Sequence, residues 1–194
     1  PTDRAAYGRL TRLLTLGRRR AGKGRCELHF RDALEYSQGQ RYIIPCPTRL
    51  DATTREHIAR CVAEFGDRVH LALTPRYRGD DRRWLATLAD FARAQGIALV
   101  ATNDVLYHLP ERKPLQDVMT CIREKCTLAE AGFRLEPNAE RYLKGPEEMA
   151  RLFAQYPAAI AATLEIAAAC RFSLDELRYE YPEEIVEPGL TPFE

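Results

Sequence analysis

Several familiar signatures of chemistry are absent from this chain of 194 residues. There is no Walker phosphate loop and no Gly-x-Gly-x-x-Gly turn, which removes the two commonest backbone cradles for nucleotides. No Gly-x-Ser-x-Gly elbow offers a hydrolase serine. Six cysteines occur, Cys26, Cys46, Cys61, Cys121, Cys126 and Cys170, yet no two form a Cys-x-x-Cys pair. Cys121 and Cys126 stand five apart, which is not a metal-ligand spacing. All six are expected as reduced thiols of a cytosolic protein. A net charge of +1 argues against a protein that coats nucleic acid. No run of about 18 apolar residues is read, so no membrane partner is expected. The first residues, Pro-Thr-Asp-Arg-Ala-Ala, lack a signal core and an initiator methionine, as in a processed chain or an excised piece.

What is present is ordinary for a globular protein: 45% apolar and 29% charged residues. Residues 4–20 predict a helix with Leu10, Leu13 and Leu14 on one face. Asp32 to Tyr36 fits a short helix. Tyr42 to Ile44 is a β-favouring run stopped by prolines. Thr53 to Phe65 predicts a helix capped by Thr54 and closed by Gly66. Val69 to Leu73 predicts a strand. Asp80 or Asp81 caps the next helix, with Trp84, Leu85, Leu88 and Phe91 on its apolar face. Ile97 to Val100 predicts a third strand. The alternation implies α/β architecture with a parallel sheet and right-handed crossovers. Three further helices are expected: Leu115–Cys126, Glu147–Phe153 and Ala158–Cys170, each with a proline at or before its start. The chain thus divides into an α/β part (residues 1–110), a helical connector (111–178) and an extended linker (179–194). The three helices are expected to pack together, with Leu164 in their core.

The third strand runs into Ala101-Thr102-Asn103-Asp104-Val105-Leu106-Tyr107-His108. An acidic residue just past the carboxyl end of a buried strand is where α/β proteins place chemistry. Asp104 and His108 are therefore candidates for a metal site or a proton-transfer pair. The same spacing also fits a strand end with a solvated loop. Arg18, Arg19, Arg20 and Lys23 form a basic cluster that is a candidate for phosphate contact. It also suits the negative end of a helix dipole.

These stretches resemble the polymerase and histidinol phosphatase (PHP) domain of bacterial C-family DNA polymerases. Ala101–His108 looks like its last signature, commonly Thr-Asn-Asp-Val-His-Tyr. Pro114–Cys126 is similar to the helix that follows. Tyr142–Phe153 is similar to the Leu-Lys-Ser-Pro-Glu-Glu-Met…Leu-Phe pattern, and Thr163–Cys170 to Asn-Thr-Leu-Glu-Ile-Ala. Residues 1–20 resemble a segment of the error-prone branch. The resemblance implies a partial parallel (β/α) barrel of PHP type followed by a helical appendage. It implies part of a damage-tolerant DNA polymerase, with Mg²⁺ bound by a palm domain outside this chain. Its partners would be the polymerase domains of the same parent chain and, through them, DNA in the cytoplasm.

Departures from the pattern are informative. Leu106 stands where the signature has histidine, and leucine cannot ligate a metal. Leu71 to Tyr77 contains no carboxylate or histidine. Asp104 and His108 are then only vestigial metal candidates, and no catalytic residue, metal or cofactor is expected in this chain. The expected role is a non-catalytic scaffold, with Asp104 bonded to backbone amides. Two alternatives stand beside it. One is a metal-dependent phosphoesterase using Asp104 and His108 with His70 or His29. The other is a DNA-binding domain using the Arg9–Arg25 face.

Overall fold

The computed structural model describes residues 1–178. Helix α1 (Arg4–Arg20) starts where the Asp3 carboxylate accepts from the Ala6 amide at 2.7 Å. It buries Ala6, Leu13 and Gly17, whereas Leu14 faces out. A Cβ on Gly17 would lie 2.7 Å from both Cys26 Sγ and Leu28 Cδ2, so a larger residue there would have to push those two side chains aside. Helix α2 (Phe30–Glu35) begins two residues before its expected start, because the Asp32 carboxylate reaches back to the His29 amide at 2.8 Å.

Strands β1 (Tyr42–Ile44), β2 (Val69–Leu73) and β3 (Ala98–Ala101) form one parallel sheet in the order β1-β2-β3. Ile44 lies opposite Leu71, and Leu71 opposite Leu99. The parallel arrangement and the positions of β1 and β2 agree with the sequence reading, while β3 starts and ends one residue later than the expected Ile97–Val100. The crossovers are α3 (Ala52–Phe65) and α4 (Asp81–Gln95). The cap of α3 differs from expectation. Asp51 accepts from the Thr54 amide at 2.9 Å, so Thr54 is the third helical residue and not the cap. Gly96 ends α4 in the left-handed conformation, and Leu85, Leu88 and Phe91 enter the core as expected. The sheet does not close on itself among the described residues. β1 and β3 are its edges, and Ile43 on β1 is exposed.

Beyond β3 come α5 (Lys113–Glu124), the short α6 (Leu128–Ala131), α7 (Pro146–Leu152) and α8 (Pro157–Ala169). They do not pack together as one group. α8 packs on β3 and places Ala159 and Ala162 in the main core beside Phe153. Leu164, expected in the core, is 71% exposed. An alanine-rich helix is apolar on every side, so periodicity could not choose the buried face. α5 corrects a second expectation. Its stripe of Leu115, Val118, Met119 and Ile122 is exposed, while Thr120 and Cys121 turn inward.

The segment Pro157–Glu176 is long and apolar enough by composition to cross a membrane. Helix α8 uses 13 of those residues, which span roughly 20 Å against the roughly 30 Å of a bilayer core. The linker expected over 179–194 lies outside the described residues.

Candidate functional site

Three segments converge at the carboxyl ends of β2 and β3. The Thr102 amide continues the ladder by donating to the Leu73 carbonyl at 2.9 Å. The Thr74 and Thr102 hydroxyls bond to each other at 2.6 Å. Buried Asn103 then reaches into the segment before α7, where its Nδ2 donates to the carbonyls of Glu140 (3.1 Å) and Tyr142 (2.5 Å). The Leu106 amide donates to Arg141, the Leu143 amide to Tyr107, and Tyr107 bridges Tyr142 in parallel. Asn138 closes the third side by donating to the Arg76 carbonyl at 3.0 Å.

Asp104 stands at the centre of this junction with φ 46°, a left-handed conformation that aspartate tolerates better than most residues. Its carboxylate accepts from Arg141 at 2.6 Å and from Arg76 at 3.1 Å. Arg141 also donates through Nε to the Asp104 carbonyl at 2.8 Å and reaches Glu136 at 2.5 Å. The expected bonds to backbone amides are thus replaced by a guanidinium clamp. Two positive charges beside the carboxylate oppose a divalent cation there, and the residues do not fit a PHP-type metal centre.

The other metal candidates lie apart. His108 and Leu106 are exposed on the loop. His70 is buried within β2, its Nδ1 without a hydrogen-bond partner among the described residues. Burial, and then Arg41, push its pKa down. His29 begins α2, 3.7 Å from Glu27. Among the described residues, no group of three His, Cys, Asp or Glu side chains stands close enough to hold a metal ion.

Next to the clamp, a cavity of about 160 Å³ opens at the ends of β1 and β2. Cys46, Thr74, Arg76, Arg78, Asp81 and Trp84 are among its walls. Burial pushes the Cys46 thiol up. Asp81 accepts from the amides of Arg76 (2.9 Å) and Tyr77, bracing the loop that presents Arg76. Below the clamp, Lys144 is buried over the Tyr142 ring, 3.4 Å from its centroid, and bonded to Glu140 at 3.0 Å. The Tyr142 hydroxyl donates to Glu148, which with burial pushes its pKa up to about 12. These charges are mutually satisfied and brace the junction.

In the basic cluster, Arg18, Arg19 and Lys23 are exposed. Arg20 is engaged differently: it pairs with buried Asp32 at 2.5 Å and donates to the Glu27 carbonyl. Sequence reasoning missed Arg76, Asn138, Arg141 and Lys144, and read Asp81 only as a candidate helix cap, a position that Asp80 takes. Arg141 lies 37 residues from Asp104, so nothing local pointed to it. Asn103, inside the quoted signature, was the available clue.

The fold and this junction define an open parallel α/β module whose strand-end crevice is held by arginine–carboxylate pairs. Comparison with known proteins goes further. The chain is 51% identical over 191 residues to the error-prone DNA polymerase of Caulobacter vibrioides and to error-prone DNA polymerase 1 of Agrobacterium fabrum. It is 51% identical over 197 residues to that of Bradyrhizobium diazoefficiens. Each match covers 98% of this chain but only 17–18% of the relative. The chain is therefore similar, nearly end to end, to one segment of error-prone DNA polymerases. No family model matches it.

Proposed function

We propose that this chain is a non-catalytic scaffolding part of an error-prone DNA polymerase, a PHP-type α/β module that has lost its metal centre. In this reading the three-stranded sheet is part of a larger barrel. The parent protein works in the cytoplasm, and Mg²⁺ serves nucleotidyl transfer in domains outside this chain. The observation that carries the scaffolding role is the α5 surface, where Leu115, Met119 and Ile122 stand at helical spacing and are all exposed. Apolar stripes of this kind mark contact surfaces, and the chain matches only 18% of its relative's length, so in this reading the rest of the parent protein covers it. The Arg76–Asp104–Arg141 clamp supports the non-catalytic part of the reading.

The test uses the complete polymerase that carries this segment. Met119→Asp with Ile122→Asp should lower primer extension and thermal stability of the complete enzyme. Asp104→Asn should leave primer extension largely intact, with no manganese-dependent phosphodiester hydrolysis to lose. Hydrolysis that disappears with Asp104→Asn would instead establish the phosphoesterase alternative.

A second reading rests on a groove of about 610 Å³ along α1, where Arg12 and Arg19 stand with Tyr36. Two cations beside an aromatic ring suit a nucleic-acid strand. Arg12→Ala with Arg19→Ala should then weaken single-stranded DNA binding and flatten its salt dependence. An unchanged salt slope would dismiss this reading.

A further inference from the structure

The carboxyl end of α5 brings two thiols together. Lys125 takes the left-handed conformation (φ 54°), and its amide donates to the Ile122 carbonyl at 3.3 Å. The Cys126 amide donates to the Cys121 carbonyl at 3.1 Å. This pair of bonds is a Schellman turn, in which the side chains at its first and last positions, here Cys121 and Cys126, are set against each other. A disulfide needs Cα atoms roughly 4.4–6.8 Å apart, and a six-residue turn closed by a backbone bond holds its ends in that range. Both cysteines line one groove with Val118, Ile122 and Leu128. Cys121 is buried and Cys126 partly exposed.

We infer that Cys121 and Cys126 form an oxidisable dithiol at the end of α5, a modification site for hydrogen peroxide that closes to an intrachain disulfide. The roles follow from exposure. The Cys126 thiolate attacks one peroxide oxygen, breaking the O–O bond, and gives a sulfenic acid and hydroxide. The Cys121 thiol then attacks the Cys126 sulfur. The S–O bond breaks, the S–S bond forms, and the oxygen leaves as water with the thiol proton. Overall two thiols and one peroxide give one disulfide and two waters. Burial and the neighbouring thiol push the Cys121 pKa up, consistent with the second, resolving role. The turn that brings the two residues together already exists in the reduced chain. The other four cysteines lie on separate parts of the chain.

The experiment treats the complete protein with limiting hydrogen peroxide, blocks remaining thiols, and digests it with trypsin without reductant. Arg123 and Lys125 lie between the two cysteines, so a disulfide joins two peptides that are otherwise separate. The expected result is a linked pair of residues 113–123 and 126–134 that separates on reduction. The thiol count of this segment should fall from six to four. In Cys121→Ser the Cys126 sulfenic acid should persist and be trapped by dimedone. Both cysteines remaining fully alkylatable at a peroxide dose that oxidises exposed Cys26 would overturn the inference. So would linkage of either to a different cysteine.

Discussion

At the scale of single residues, two positions show how local chemistry sets stability. Asp32 is buried against Arg20, whose guanidinium holds its carboxyl well below the usual carboxylate range, with help from the His29 amide. In the unfolded chain an aspartate titrates near about 3.9. A folded-state pKa below that value contributes stability that is complete above it and is lost as pH falls through the folded pKa. Melting temperature should therefore drop as pH falls below about 4. Asp32→Asn should flatten that part of the profile while lowering stability at neutral pH, and an unchanged acid limb would show that the pair is not the cause. Lys125 is the second position. A lysine held at φ 54° carries the steric cost that glycine avoids. The side chain is exposed, so little contact is lost on removing it. Lys125→Gly should stabilise the chain by about 0.5–1 kcal/mol in urea unfolding. A destabilisation would mean that the lysine makes a contact worth more than the backbone strain.

At the scale of elements, α8 separates two kinds of apolar residue. Phe153, just before it, is 1% exposed and sits in the main core, whereas Leu164 within it is 71% exposed. Phe153→Ala should cost about 3–5 kcal/mol, from lost transfer energy and a residual cavity. Leu164→Ala should cost less than about 0.5 kcal/mol. Equal costs, measured by denaturant unfolding of this chain, would show that α8 is rotated from its position here. This contrast also marks how far the sequence could be read. The strands were accessible because Val69–Leu73, broken only by His70, and the run before Ala101 are apolar stretches between turn residues, and α3 and α4 because their stripes alternate with charge. The buried face of α8 was not, since its alanines, with Ile160, Leu164 and Ile166, put apolar residues on every side of the helix. The exposure of α5 was not either: an apolar stripe states that something should cover it, not that the cover lies in this chain. At the strand end, Asn103 and Asp104 were visible in the sequence, but their partners arrive from residues 138–144 and from Arg76, and long-range pairing leaves no local pattern.

At the scale of the whole molecule, the chain has a closed interior and an unfinished exterior. Leu71, Leu73, Leu88 and Phe153 form a densely buried centre between sheet and helices. Outside it, β1 is an open edge among the described residues, whereas α8 packs on β3, and the α5 residues Val118 and Ile122 share a groove with exposed Leu128. An open strand edge and exposed apolar surface both favour self-association. The 194-residue chain alone should therefore associate as its concentration rises, in sedimentation velocity. Met119→Asp with Ile122→Asp should reduce that association and leave unfolding free energy within about 0.5 kcal/mol, because neither side chain supports the core. The two readouts have different sources. Association reports the surface, and unfolding reports the interior. If the double variant unfolds much more easily, the stripe belongs to the core and the scaffolding surface must be sought elsewhere. If it remains as associated as the parent chain, the open β1 edge drives self-contact, and Ile43→Lys on β1 becomes the substitution that should disperse it.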